Sequence, residues 1–194
     1  MKTRQRFQRA LFIGRALSHR PRSRNLSTRF SSFIWRRFNI INLPGSGGPS
    51  VSAGRYEFGN REITTAPDMP EFLLPIRTRA ATFFSMDPNS LVQTTIIEYF
   101  TGSPIGWHRD IPHFGVVVGI SLGGACRMKF REHDRVRSKN LKRGEILSME
   151  LQPRSIYLMS GPSRESWQHS IAPVKELRYS IMLRDLREKA TNSH

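Results

Sequence analysis

The sequence predicts a mainly β domain with a few helices, of the sandwich or jelly-roll class. From residue 92 to residue 183, short runs rich in β-branched and aromatic residues alternate with turn residues, as is typical of antiparallel sheets. The predicted strands are Val92–Phe100, Val116–Leu122, Ala125–Arg131, Ile146–Leu151, Ser155–Met159, His169–Ile171 and Tyr179–Leu183. The sequence shows no internal repeat.

Two other elements can be placed from local patterns. Apolar residues at roughly helical spacing predict one amphipathic helix over residues 71–84, with Pro75 in its first turn, where a missing N–H costs least. Gly123 and Gly124 separate two predicted strands, and both tolerate positive φ. They predict a tight hairpin.

The overall composition limits the class of protein. A chain of 194 residues is long enough for one domain with its own core. Hydrophobic residues make up 38%, and no apolar run approaches the roughly 18 residues that a membrane-spanning helix needs. The single cysteine, Cys126, lies in an apolar context and is expected to be a small core residue in a reducing compartment.

The net charge of +16 is concentrated at one end of the chain. Residues 1–56 hold 12 of the 31 Lys and Arg and no acidic residue, whereas the remaining 138 residues hold 19 basic and 15 acidic groups. We therefore divide the chain into a basic segment over residues 1–54, a domain over residues 55–187 and a tail over residues 188–194. Total charge then says little about what the domain binds.

The basic segment has no sustained helical or alternating pattern, and four interpretations remain open. It could be an organellar transit peptide, a phosphate-binding arm, a disordered tail, or peptide read out of frame after an insertion or deletion near Gly54. The last hypothesis follows from a shifted reading of the codons for residues 47–53. That reading can encode a segment that fits directly before Arg55–Phe58.

His108 and Asp110 are the strongest candidates for chemistry. They are two residues apart in a segment predicted to be extended, so their side chains project to one side and can hold one ion. His169, at the edge of a later predicted strand, would complete a set of two imidazoles and one carboxylate. Such a set binds Fe(II) and leaves positions open for O2 and a cosubstrate. Each motif alone has an ordinary structural explanation, and only the combination carries the prediction.

Arg178 and Arg184 are six residues apart along the last predicted strand and face the same way. Guanidinium groups pair with carboxylates through two parallel hydrogen bonds, which suits them to hold 2-oxoglutarate. Tyr99, near the end of the strand before His108, could donate a further hydrogen bond.

Six segments, taken in order, resemble one known family. They are Tyr99–Asp110, Val117–Leu122, Met128–Arg131, Tyr157–Arg164, Trp167–Ile171 and Arg178–Arg184. They resemble the AlkB family of Fe(II)- and 2-oxoglutarate-dependent dioxygenases over about Arg55 to Leu186, which is most of the chain. The resemblance implies a double-stranded β-helix, the jelly roll of the 2-oxoglutarate dioxygenases.

The same resemblance implies the site residues and the cofactors. The implied iron ligands are His108, Asp110 and His169. The implied 2-oxoglutarate-binding residues are Tyr99, Arg178, Ser180 and Arg184. Arg178 is expected at the distal carboxylate and Arg184 nearer the metal. Fe(II), 2-oxoglutarate and O2 are the implied cofactor and cosubstrates.

The sequence also departs from the family pattern. Ile97 and Ser180 stand where the founding enzyme type has asparagines, and Met182 and Leu183 replace a common Thr-Phe pair. The family's nucleotide-recognition lid comes mainly from the N-terminal region, which is unrecognisable in this chain. Tyr56 is the one residue expected to lie near a target base, as a stacking or hydrogen-bonding group.

The implied activity is oxidative demethylation of alkylated bases in single-stranded or flipped-out DNA or RNA. Two alternatives remain open: a catalytically impaired nucleic-acid-binding relic without the lid, and a dioxygenase that acts on a substrate other than nucleic acid. We expect the protein to be a monomer that does not associate with a membrane. The expected compartment is the cytoplasm, and an organellar location is the less favoured alternative.

Overall fold

The structure is a computed structural model that describes residues 68–133 and 146–187, together with the backbone of four short strands earlier in the chain. These early strands are β1 (Leu11–Arg15), β2 (Ser50–Gly54), β3 (Glu57–Gly59) and β4 (Glu62–Thr64). The later strands are β5 (Gln93–Tyr99), β6 (Ile105–His108), β7 (Val117–Gly123), β8 (Cys126–Glu132), β9 (Leu147–Leu151), β10 (Ser155–Met159), β11 (Trp167–Ile171) and β12 (Arg178–Arg184). The helices are a 3-10 turn at Glu71–Leu73, α1 (Leu74–Phe83), a 3-10 turn at Pro88–Ser90 and α2 (Gly161–Glu165).

Two antiparallel sheets form the body of the described structure. One has six strands in the order β1-β10-β7-β12-β5-β2, and the other has four in the order β6-β11-β8-β9. Buried apolar side chains from both sheets form one cluster; they include Ile97, Tyr99, Val117, Met128, Phe130, Leu151 and Trp167. Two sheets that share one core between their inner faces make a jelly roll, which confirms the predicted fold class.

Helix α1 covers the outer face of the six-stranded sheet. Its Ala80 and Ala81, with Leu73 before it, pack in a second cluster with residues of β5, β7 and β12. The predicted helix over residues 71–84 is thus confirmed, with a 3-10 turn as its first part and Pro75 within the first turn of α1. Because the sheet is covered on both faces, all seven residues of β12 are buried.

The predicted hairpin at Gly123 and Gly124 is wrong. Strand β7 belongs to the six-stranded sheet and β8 to the four-stranded sheet, so the two glycines connect the sheets. Gly123 has φ +77°, and a Cβ atom on it would lie 2.6 Å from the carbonyl oxygen of Leu177. The amide of Gly124 donates to the same oxygen at 2.8 Å. The glycines allow this close approach of two backbones.

The elements that were not predicted from the sequence are the strands β1, β2, β3, β4 and β6, the 3-10 turn at Pro88–Ser90, and α2. Strand β6 is short and only partly buried, and α2 is a single short turn. Strands β1 and β2 lie inside the segment 1–54 and pair with β10 and β5, respectively. The rest of that segment, Tyr56 and the tail 188–194 lie outside the described residues, and the division at Arg55 stays a prediction.

No helix among the described residues is both long enough and apolar enough to cross a membrane.

Candidate metal centre and cosubstrate pocket

The structure brings His108, Asp110 and His169 together. Strands β6 and β11 are antiparallel neighbours, and their register places His108 directly opposite His169. The two imidazole rings have centroids 4.2 Å apart, and Nε2 of His169 lies 3.9 Å from Oδ2 of Asp110. One potential ligand atom from each residue lies within 4.8 Å of the others. A single ion can therefore contact all three side chains.

The protonation of the three side chains suits a divalent metal. Burial lowers the pKa of His169 to about 4, so its imidazole is neutral near pH 7. Nδ1 of His108 lies 2.9 Å from the carbonyl oxygen of Gly106. A carbonyl oxygen only accepts hydrogen bonds, so Nδ1 carries a proton and Nε2 is the ring nitrogen left to bind a metal.

The carboxyl group of Asp110 is ionised. Its burial would raise its pKa, but His169, Arg184 and Arg164 together hold the pKa below its usual range. Oδ2 of Asp110 is buried without a hydrogen-bond partner among the described residues. A buried, unpartnered carboxylate oxygen beside two imidazoles is a donor set that fits Fe(II).

Arg184 extends this site toward the core. Its Nη2 lies 3.9 Å from Oδ1 of Asp110, and its Nη1 donates to Oε1 of Gln93 at 2.7 Å and to Oγ1 of Thr95 at 2.8 Å. Gln93 and Thr95 hold the guanidinium in place, and the sequence analysis missed both. The sequence feature that could have identified them is their spacing: Gln93 and Thr95 are two residues apart and continue the row of Ile97 and Tyr99 on β5. Side chains two residues apart on a strand share a face, so all four lie on the inner face.

Arg178 lies at the other end of the same face and is fully buried. Its Nε donates to Oγ of Ser121 at 3.2 Å, and its guanidinium carbon lies 4.5 Å from the centre of the Tyr99 ring. Its Nη1 is buried without a hydrogen-bond partner among the described residues. A buried cation with an unused donor fits an anionic ligand, as the resemblance implies for the distal carboxylate.

A cleft of about 470 Å³ opens beside the metal ligands. It is lined by Arg109, Asp110, Ile111, Pro112, Arg164, Glu165 and Arg187. Arg164, on α2, is buried and donates to the backbone oxygen of Asp110 at 3.1 Å and to that of Ile111. Arg164 was not predicted as a site residue. The sequence feature that could have identified it is its place in the turn directly before the strand of His169.

The profile of the 2OG-Fe(II) oxygenase superfamily matches residues 27–189. The chain belongs to this superfamily. It is a 2-oxoglutarate-dependent dioxygenase, and the superfamily's cofactor and cosubstrates are Fe(II), 2-oxoglutarate and O2. The profile match begins inside the segment 1–54, upstream of the predicted domain.

Relatives of this 2OG-Fe(II) oxygenase confirm the resemblance to the AlkB family. The chain is 32% identical over 136 residues to the "Alkylated DNA repair protein ALKBH8 homolog" of Arabidopsis thaliana, covering 60% of this chain and 39% of that protein. It therefore spans less than half the length of this relative. An uncharacterised protein of Acanthamoeba polyphaga mimivirus is 25% identical over 149 residues, covering 64% of this chain and 68% of that protein.

The solved structure of OsALKBH1 has the same fold as this oxygenase. The two superpose with a TM-score of 0.65 over 91% of this chain and 96% of that chain, at 13% identity. At this identity the likeness shows the fold alone.

Proposed function

We propose that this dioxygenase removes alkyl groups oxidatively from the bases of DNA or RNA. The observation that carries the proposal is the cleft lined by Arg109, Arg164 and Arg187, because it opens directly beside Asp110. A substrate held in that cleft has its reactive group next to the metal centre. The AlkB-type motifs and the likeness to a protein named for the repair of alkylated DNA support the same substrate class.

In this proposal His108, Asp110 and His169 hold the iron. They form one compact group of ligand atoms and leave the remaining coordination positions free. When bound, Fe(II) together with O2 and 2-oxoglutarate supplies the oxidising power that hydroxylates the alkyl group, after which the product releases formaldehyde.

Arg178 and Arg184 orient the cosubstrate in this scheme. Arg178 lies deepest, and its unpartnered Nη1 would pair with the distal carboxylate. Arg184 lies beside Asp110, and its positive charge would face the end of the keto acid that lies near the metal. Both guanidinium groups are buried, so water competes weakly for their hydrogen bonds.

The charge of the cleft fits a nucleic acid. Three arginines and two carboxylates, those of Asp110 and Glu165, line the cleft. A metal ion bound to Asp110 would offset the negative charge of that carboxylate. Arg109 is exposed, and its Nη1 donates to the backbone oxygen of Glu165 at 3.0 Å, which leaves its other donors for a phosphate.

The test is the release of formaldehyde from oligonucleotides that contain N1-methyladenine or N3-methylcytosine, measured together with succinate. We expect both products only when Fe(II) and 2-oxoglutarate are present. Succinate without repair would move the substrate to another class, such as protein or lipid. Salt-sensitive oligonucleotide binding without either product would identify a binding protein that has lost its activity.

A pair of arginine variants tests the cleft itself. Arg109→Ala should weaken oligonucleotide binding and reduce the slope of log affinity against log salt by about one, because one phosphate contact is lost. Arg79→Ala removes another exposed arginine, from α1, on the opposite side of the six-stranded sheet from the metal centre, and should leave both the affinity and the salt slope unchanged. Equal effects of the two variants would place the nucleic acid elsewhere.

A further inference from the structure

The inner face of β12 presents four side chains in sequence, and the last of them lies beside the metal-ligand candidate Asp110. Arg178 and Arg184 are the outer two, and Ser180 and Met182 lie between them. A keto acid held by both arginines must therefore pass over Ser180 and Met182. The groups around these two residues therefore lie between the two guanidinium groups, within reach of a carboxylate that either of them holds.

Tyr157 reaches this middle region from β10. The register pairs Met182 with Gly119 of β7, and Gly119 with Tyr157 of β10, so the three residues form one row across the sheet. A Cβ atom on Gly119 would overlap the ring of Tyr157. The absence of a side chain at Gly119 thus allows the tyrosine to lie across β7, with its hydroxyl 3.2 Å from Sδ of Met182.

Within the described part of the chain, the hydroxyl of Tyr157 and Nη1 of Arg178 lack a strong hydrogen-bond acceptor. The hydroxyl of Tyr157 and that of Ser180 both point at the thioether of Met182, each at 3.2 Å. A thioether is a weak acceptor. Among the described residues, the thioether is the only hydrogen-bond acceptor of the Tyr157 hydroxyl, and Nη1 of Arg178 has none. Buried donors are normally matched to strong acceptors, so the region is built for an acceptor-rich ligand.

We propose that the hydroxyl of Tyr157 is a further cosubstrate-binding group, which donates a hydrogen bond to a carboxylate oxygen of 2-oxoglutarate in place of the Met182 thioether. This inference rests on the proposed roles of Arg178 and Arg184. The side chain of Ile97, on the neighbouring strand of the same face, has no donor, so Tyr157 supplies a polar contact that β5 does not supply there.

The state of the hydroxyl agrees with a donor role. Burial raises the pKa of Tyr157 well above its usual value, so the group keeps its proton throughout the working pH range. Its side chain is 2% exposed, so little water reaches it. A hydrogen bond from a buried neutral hydroxyl to a carboxylate is stronger than one between two neutral groups.

The experiment measures the Kd of 2-oxoglutarate by calorimetry, with Mn(II) in place of iron so that no turnover occurs. Tyr157→Phe deletes only the hydroxyl and should raise this Kd about 10-fold, as expected for one hydrogen bond to a charged group. The Kd of Mn(II) should not change. Tyr179→Phe is the matched control, because Tyr179 is buried on the other face of β12 and donates to Glu98 at 2.7 Å.

A second variant separates binding from packing. Met182→Leu removes the thioether that Tyr157 contacts, and it should bind 2-oxoglutarate at least as tightly as the unaltered protein. Weakening of equal size in Tyr157→Phe and Met182→Leu would make the contact structural and overturn the inference, and so would a Kd for Tyr157→Phe within two-fold of the unaltered protein. Failure of the unaltered protein to bind 2-oxoglutarate would refute the proposed function itself.

Discussion

Arg164 donates a hydrogen bond from Nη1 to the backbone oxygen of Asp110 over 3.1 Å, and its Nη2 donates to the next carbonyl oxygen, that of Ile111. A second hydrogen bond joins the same two segments. Nη1 of Arg109, in the loop of Asp110, donates to the backbone oxygen of Glu165, in α2, at 3.0 Å. The loop that carries the carboxylate ligand is therefore fastened to α2 at both sides. This arrangement fixes the direction in which the Asp110 side chain points.

We expect Arg164→Lys to weaken metal binding. Lysine keeps the charge but cannot span two carbonyl oxygens with a planar fork, so Asp110 becomes less well positioned. The Kd of Mn(II), measured by electron paramagnetic resonance, should rise about 10-fold, as is usual when a residue that orients a metal ligand is lost. Arg187→Ala removes the ion pair with Glu165, whose side chains are 43% and 51% exposed, but leaves both hydrogen bonds of Arg164 intact, and it should leave this Kd unchanged. Unchanged Mn(II) affinity in Arg164→Lys would contradict the positioning role.

Asp110→Asn should abolish metal binding while the fold survives. An amide has nearly the shape of a carboxylate but lacks the negative charge that a divalent ion needs, so the Kd of Mn(II) should rise by about 100-fold or more. Calorimetric titration with Mn(II) measures the loss, and circular dichroism measures the fold. Asp87→Asn is the control, since Asp87 is an exposed cap that asparagine can replace. Tight Mn(II) binding by Asp110→Asn would place the metal elsewhere.

Local patterns in the sequence were sufficient for most of the strands. Ser155–Met159 was predicted with the bounds that β10 has, and the bounds of β12 differ from the prediction by one residue at each end. The placing of His108 and Asp110 together was predictable for the same reason, whereas the place of His169 beside them depends on the pairing of β6 with β11. The alternation that puts His108 and Asp110 on one side of the chain is a property of extended backbone, which depends on near neighbours alone.

The register between distant strands was not predictable. The local preference of Gly123 for positive φ says nothing about which sheet the next strand joins, so the predicted hairpin was wrong. The contacts of Gln93 with Arg184 likewise depend on the pairing of β5 with β12, which are far apart in the chain. Gln93, Thr95 and Arg164 were missed because each contacts the site through a residue that is more than fifty positions away in the chain.

Cys126 should be unreactive in the folded protein. Burial raises the pKa of its thiol, Arg178 lowers it and Glu150 raises it, and the net change is upward. The side chain is 4% exposed, so a reagent has little access to a thiolate that rarely forms. Iodoacetamide at pH 8 should leave the native protein unlabelled, and mass spectrometry should find one adduct after unfolding in urea. Rapid labelling of the native protein would contradict the buried position.

The raised pKa of Cys126 also makes the free energy of unfolding depend on pH. Below the unfolded-state value of about 8.5, both states hold the proton and stability does not depend on this group. As the pH rises from there toward the raised folded-state pKa, the unfolded state loses its proton first and becomes favoured. Cys126→Ser should therefore show a smaller loss of unfolding free energy between pH 8 and pH 10 than the unaltered protein, as measured by urea denaturation. An equal loss in both would show that other groups account for it.

Gly119→Ala should destabilise the protein through Tyr157. The added methyl group would overlap the tyrosine ring, and overpacking of this kind costs about 1–3 kcal/mol of unfolding free energy. Gly106→Ala is the control, because a Cβ atom there meets nothing within 4 Å. Urea denaturation of the double variant Gly119→Ala with Tyr157→Leu separates this clash from a general preference of β7 for glycine. The smaller, more flexible leucine should absorb much of the cost of the added methyl group, whereas strictly additive effects would show that the two side chains do not compete for the same space.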